Sequence, residues 1–285
     1  FIPAFYLPNV GDATHYNIYQ GWLTGESYHT EQLEGESLKE HYDWLMTIPV
    51  AKKIFDDFAA AGYNRPEWQK LHCAYFSRGY LCIITREPCP AEEIFKRFAQ
   101  VFDLTYTRFL DLQKAEAQAR EAQVEAALER VRARSMAMHR SEELSDLSLE
   151  LVKQVQALGV KTWFCAFNIY DDDPEGSLEW GSNGQGVFPR YRTPREGIFL
   201  RYYKAGQQGE LLLIHAIGEE ECPAHYAYLC SLPGVGEQLL KMKAEGIPFP
   251  ASQIDHVAYF KYGYIIFITY EPVPEAHDVF KRFAK

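Results

Sequence analysis

Between Ala91 and Leu158 the chain contains neither glycine nor proline, so nothing local breaks a helix over that stretch. Other absences are chemical. Six cysteines (Cys73, Cys82, Cys89, Cys165, Cys222 and Cys230) include no C-x-x-C pair and no cysteine–histidine metal spacing. They read as the reduced thiols of a cytoplasmic protein. There is no G-x-x-x-x-G-K-S/T, G-x-S-x-G or H-E-x-x-H, so no phosphate loop, hydrolase elbow or zinc-protease motif is legible. No cofactor or metal ligand set is read, and no enzyme activity is expected of this chain. No run of about 18 apolar residues and no basic-then-apolar leader exists, and the expectation is no membrane contact. Basic residues are the scarcer sign, 29 against 39 acidic for a net charge of −10, which disfavours nucleic acid as a partner.

Aromatic residues, by contrast, are abundant: 15% of 285 residues, with 19 Tyr and 18 Phe, enough for aromatic cores or pockets in two domains. The chain also repeats itself. Placing His41 on His225 aligns residues 41–90 with 225–274 without a gap. The alignment matches His41-Tyr42 with His225-Tyr226, Ala74–Phe76 with Ala258–Phe260, Gly79-Tyr80 with Gly263-Tyr264, and T-x-E-P-x-P at Thr85 and Thr269. One inserted residue later FKRFA recurs, at Phe95 and Phe280. The period is about 184 residues, which makes the chain a tandem repeat. Residues 141–184 find no partner in the first copy. The organisation expected is a truncated module over 1–100, a connector over 101–140 and a complete module over 141–285, cut from a longer parent.

In the complete copy, Leu144, Leu147, Leu151, Val155 and Leu158 follow helical spacing, with Ser141 or Ser145 as cap and Gly159 as stop. Thr162–Tyr170 and the SLEWGS segment flank the turn Asp171–Gly176 as a hairpin. A helix over GIFLRYYKAG, a strand at Glu210–Ile217, a helical layer interrupted by Pro233, two strands within His256–Tyr270 and a last helix after Pro274 complete the order. Strands grouped as hairpins predict an α+β fold, a mostly antiparallel sheet flanked by helices.

The glycine- and proline-free stretch predicts a helix from Ala91 to about His139, roughly 70 Å long at about 1.5 Å per residue. Phe95, Phe98, Phe102, Thr105, Phe109 and Leu112 alternate by three and four; Ala115, Ala119, Ala122 and Ala126 follow, then Leu128, Val131, Ser135 and Met138. This predicts a coiled coil with register shifts and a homodimer whose seam holds Phe95, Phe98, Phe102, Phe109, Leu112, Leu128, Val131 and Met138. Arg130, Arg132, Arg134 and Arg140, preceded by Glu121, Glu125 and Glu129, read as its flanking salt bridges.

Thr105–Leu144 resembles a connector of bacterial signal-transduction proteins that joins tandem GAF-like sensor modules and leads to a histidine kinase, cyclase or phosphatase output. His225–Lys285 resembles the body of such modules. The resemblance implies a GAF-like fold, a sensory or dimerising role and an output domain outside this chain; it carries over no catalytic residue. His139 lacks a phosphoacceptor context, and Asp171–Asp173 lacks calcium-site spacing. The candidate ligand residues are His215, His225, Tyr226, His256 and Tyr259, polar groups among aromatic neighbours, facing an unknown small molecule. The alternatives are a structural dimerisation module with no ligand and an enzyme of unknown type.

Overall fold

The computed structural model describes residues 4–140 and 143–285. The fold is α+β, in two compact units, Phe1–Glu116 and Ala117–Lys285. The boundary falls within one long helix.

In the first unit, α1 (Ala13–Thr24) starts where the Asp12 side chain accepts the His15 N–H and stops at Gly25, whose φ of 79° suits a residue without Cβ. β1 (Tyr28–Glu34), α2 (Gly35–Leu45), α3 (Pro49–Ala60), β2 (Trp68–Phe76) and β3 (Gly79–Thr85) follow. The sheet is antiparallel in the order β1-β2-β3. Ile18, Leu33, Leu38, Tyr42, Leu45, Leu71 and Cys73 form its core. Helix α4 runs from Glu92 to Met136, three residues short of the sequence expectation.

The second unit continues with α5 (Leu144–Ala157), β4 (Thr162–Ile169), β5 (Gly176–Ser182), β6 (Tyr191–Pro194), α6 (Gly197–Gln207), β7 (Leu212–Ile217), α7 (Cys222–Ser231), α8 (Val235–Ala244), β8 (Gln253–Phe260), β9 (Gly263–Thr269) and α9 (His277–Phe283). Its six strands are antiparallel in the order β6-β5-β4-β9-β8-β7. The expected cap Ser141 lies outside the described residues. Ser145 lies inside α5 rather than ahead of it, and its hydroxyl donates to the Phe188 carbonyl at 3.5 Å.

Strand alternation divides the second core in two. Cys165, Phe167, Ala258, Ile265 and Phe267 face α5 and α9, against Leu147, Leu151, Val155 and Phe280. Phe164, Ala166, Val257, Tyr264, Ile266 and Ile268 face the other way, against Tyr202 of α6, Tyr226 of α7 and Val235 and Leu239 of α8. The β8–β9 turn passes so close to β4 that a Cβ on Gly263 would stand 1.9 Å from the Asn168 carbonyl oxygen, which is why the position is glycine.

Every element of the first unit from α1 to β3 recurs 184 positions later, as α6, β7, α7, α8, β8 and β9. β4, β5 and β6 have no counterpart in the three-stranded sheet. The repeat thus extends back through α1 and β1, where sequence identity has faded, because the shared core constrains burial pattern more than residue type.

The last turns of α4 do not form the predicted seam. Val124, Ala127 and Leu128 are buried with Leu158, Val279 and Phe283, and Val131 is buried with Leu147 and Leu151. Arg134 pairs with Asp146 at 2.9 Å, Arg130 donates to Gln154 at 3.1 Å and Arg120 to the Leu158 carbonyl at 2.8 Å. That reversed order makes this part of α4 an antiparallel partner of α5 within one chain, so these arginines serve intrachain contacts. Earlier in α4, Phe95 turns to His72 (ring centroids 5.2 Å apart) and Phe102 to Phe76 (5.1 Å). Phe98, Phe109 and Leu112 are exposed, and Met138, beyond the helix, packs against the second core.

Candidate functional site

Several polar contacts occur in both units and therefore belong to the fold. The Tyr42 hydroxyl donates to Gln69 at 3.0 Å, and Tyr226 to Gln253 at 2.6 Å. His72 Nε2 lies 3.1 Å from Thr85 Oγ1, and His256 Nε2 lies 2.9 Å from Thr269 Oγ1. Tyr75 donates to the Ile18 carbonyl at 2.7 Å, and Tyr259 to the Tyr202 carbonyl at 2.9 Å.

What the second unit adds is a cavity of about 50 Å³ between the sheet and α6–α8. At about 10–15 Å³ per water centre this holds roughly four waters, or a ligand of a few heavy atoms. Trp163, Phe164, Phe188, Tyr191, Tyr202 and Tyr226 supply aromatic wall. Glu179 and Asp255, 4% and 1% exposed, also line it, whereas no lysine or arginine does.

Each carboxylate is held by a different device. Glu179 sits in register between Asn168 of β4 and Tyr191 of β6. Asn168 Nδ2 donates to it at 2.8 Å and the Tyr191 hydroxyl donates to its other oxygen. Asp255 accepts from the Tyr202 hydroxyl at 2.5 Å and from Gln253 Nε2 at 2.7 Å. Tyr202 also approaches His215 Nδ1 at 3.3 Å, so a hydrogen-bond chain runs Tyr226–Gln253–Asp255–Tyr202–His215. In the first unit the corresponding chain ends after Tyr42–Gln69, because Leu71, Ile18 and Glu31 stand where Asp255, Tyr202 and His215 stand in the second.

Burial raises both acids. Glu179 rises to about 7, burial outweighing its hydrogen bonds from Tyr191 and Asn168, with the Asp255 charge adding to the rise. Asp255 rises to about 6, burial outweighing Tyr202 and Gln253. Burial, then repulsion from His215, lowers His225 to about 4. The site is thus an aromatic enclosure in which burial disfavours the ionised form of both carboxyl groups and a positive partner would favour it.

Among the sequence candidates, His225 and Tyr226 line this cavity. His215 stands behind Tyr202, and Tyr259 packs on the same side of the sheet without lining it. His256 is on the opposite face: its ring lies 5.1 Å from Phe280 and 5.2 Å from His277 of α9. Strand parity separates it from Asp255, its neighbour, which points into the cavity. Sequence reasoning passed over Glu179 and Asp255; the available signal was Asp255 aligned with Leu71, a charge at an inward strand position. Asp171 and Asp173 are tied to Arg192 at 2.7 and 2.9 Å, and His139 is exposed.

No helix among the described residues is long and apolar enough to cross a membrane. No known protein family matches the chain, and no curated protein matches it.

Proposed function

We propose that the chain is a regulatory sensor and dimerisation fragment of a bacterial, cytoplasmic signal-transduction protein with GAF-like modules, in which occupancy of the second unit's cavity biases α4 and, through it, an output domain outside this chain. The observation that supports it is the pair Glu179 and Asp255 in an aromatic wall without a basic residue. Such a wall suits a small amine: aromatic faces attract an alkylammonium ion, and one ionised carboxylate balances its charge while the other, still protonated, can hydrogen-bond. The same β8 and β9 that carry Asp255 and Ile266 on the cavity side carry His256 and Phe267 against α9 on the other. Arg282 of α9 in turn pairs with Glu121 and Glu125 of α4 at 2.9 and 2.5 Å. A ligand that prefers one packing of this sheet would therefore shift the α9–α4 contact by its differential affinity.

Dimerisation in this reading uses the outward row of α4. Ile94, Phe98, Val101, Thr105 and Leu112, then Ala115, Ala119, Ala122 and Ala126, are all exposed and follow coiled-coil spacing.

The test is ligand-dependent thermal stabilisation of the full chain by tetramethylammonium and ethylammonium chlorides, against tert-butanol, ethanol and sodium chloride. The amines should raise the melting temperature with the logarithm of concentration and the neutral isosteres should not. Asp255→Leu, which copies the first unit, should abolish the shift. His256→Phe, on the far face, should leave it intact. If no small amine stabilises the chain, the reading gives way to a structural module that binds nothing.

A further inference from the structure

The first unit lacks the carboxylate cavity but holds a cluster of its own at the matching corner, where α1 begins beside α2. Asp12 caps α1, His15 lies in its first turn, and His41 reaches in from α2. Their side chains are 8%, 9% and 4% exposed. His15 Nδ1 lies 2.8 Å from Asp12 Oδ2, and His41 Nδ1 lies 3.1 Å from the same oxygen. The two imidazoles are nearly parallel, 10° apart in plane with centroids separated by 5.3 Å. Among the described residues this is the one group of three or more such side chains whose ligand atoms all lie within 4.8 Å. We propose that Asp12, His15 and His41 bind a zinc-type divalent transition-metal cation.

The spacing is what carries this. Ligands at about 2.05 Å from a tetrahedral ion stand roughly 3.3 Å from one another. The two observed separations from Asp12 are within about half an ångström of that edge, and all three ligand atoms lie within 4.8 Å of one another, which is the scale of such a site. Two imidazole nitrogens and one carboxylate oxygen are a zinc-type donor set, and three protein ligands leave one position open. Oδ2 is moreover crowded by three contacts, since it also accepts the His15 backbone N–H at 3.0 Å. An ion bridging the imidazoles and the carboxylate would take over the role of the ring contacts and leave the backbone cap in place. The Trp44 ring, 4.8 Å from that of His15, fixes the imidazole from one side. It also closes over Gly11, where a Cβ would meet Trp44 Nε1 at 2.6 Å. The second unit serves as the internal negative: Glu196, Phe199 and His225 occupy the matching positions, which leaves a single imidazole.

Bound metal would pin the start of α1 to α2 and stabilise the first unit in proportion to the logarithm of free metal over its dissociation constant. The experiment uses the full chain, stripped with a chelator, and Co²⁺ as the spectroscopic probe. One equivalent should bind with visible d–d bands and without thiolate-to-cobalt charge transfer, which separates this site from the free cysteines. Asp12→Ser retains a capping hydroxyl, and His15→Phe copies the residue of the second unit; both should fold. Each should weaken Co²⁺ and Zn²⁺ binding by at least tenfold and abolish the metal-dependent rise in melting temperature. Co²⁺ bound equally by the parent chain and His15→Phe, a thiolate spectrum, or no uptake by the parent chain would each overturn the proposal.

Discussion

Asp255 and His256 are consecutive, yet they load the stability of the second unit in opposite senses. Asp255 ordinarily titrates near 3.8 and is raised to about 6 in the fold. Across that window the native chain holds a proton that the unfolded chain releases, so stability falls as pH rises from about 4 to about 6. His256 is lowered from 6.5 to about 4 by burial and by repulsion from His277, so its native form sheds a proton that the unfolded form keeps. Its contribution therefore makes stability rise with pH over about 4 to 6.5. The two slopes partly cancel in the parent chain, and single substitutions should expose them. Asp255→Asn should gain on the parent as pH climbs from 4 to 6, by on the order of 2 to 3 kcal/mol in full, and then level off. His256→Phe should gain instead as pH falls below 6.5. Chemical denaturation at half-unit pH steps checks both signs. Sequence reading singled out His256 and passed over Asp255. Composition marks a histidine among aromatics as site-like, whereas the face each side chain takes is set by strand parity, which depends on where β8 begins.

Helix α4 presents the same lesson one level up. Its three-and-four spacing was legible, and so was its length to within a turn. Which column of side chains meets solvent was not, because Phe95 is claimed by His72 and Leu128 and Val131 by α5 and α9. The break between α4 and α5 was expected at about residues 139–141 although no glycine or proline announces it; α4 ends at Met136 and α5 begins at Leu144. β6 escaped because four residues ending in proline carry too little alternation to read. A pair of substitutions separates the helix's two jobs. Leu128→Glu places a charge in a buried cluster and should cost more than about 3 kcal/mol in the stability of the second unit. Phe98→Glu with Val101→Glu, both on the exposed row, should leave the melting temperature within a few degrees while weakening self-association. Sedimentation at tens of micromolar, with thermal melts alongside, reads both; a parent chain that sediments as a monomer there removes the dimer from the proposed function.

The whole molecule pairs a three-stranded sheet with a six-stranded one, and the difference is concentrated at one strand. β9 is flanked by β4 and β8, while its counterpart β3 bonds β2 alone and leaves Ile84 56% exposed along its outer edge. Fewer ladder bonds and a thinner core mean easier local opening. Amide hydrogen exchange should accordingly show weaker protection over 71–86 than over 255–270, and the reverse ranking would contradict this account. The repeat was legible from residue identities and the second sheet from its hairpin-like strand pattern; how many strands each sheet would muster depended on pairings between distant segments. The free cysteines turn that asymmetry into a clock that needs no engineering. Cys73 on β2 and Cys165 on β4 are both 0% exposed, one in each core, so either thiol can be alkylated only when its own sheet opens. A pulse of alkylating reagent followed by mass spectrometry would time the two openings separately in a single native chain, with Cys73 expected to be modified first.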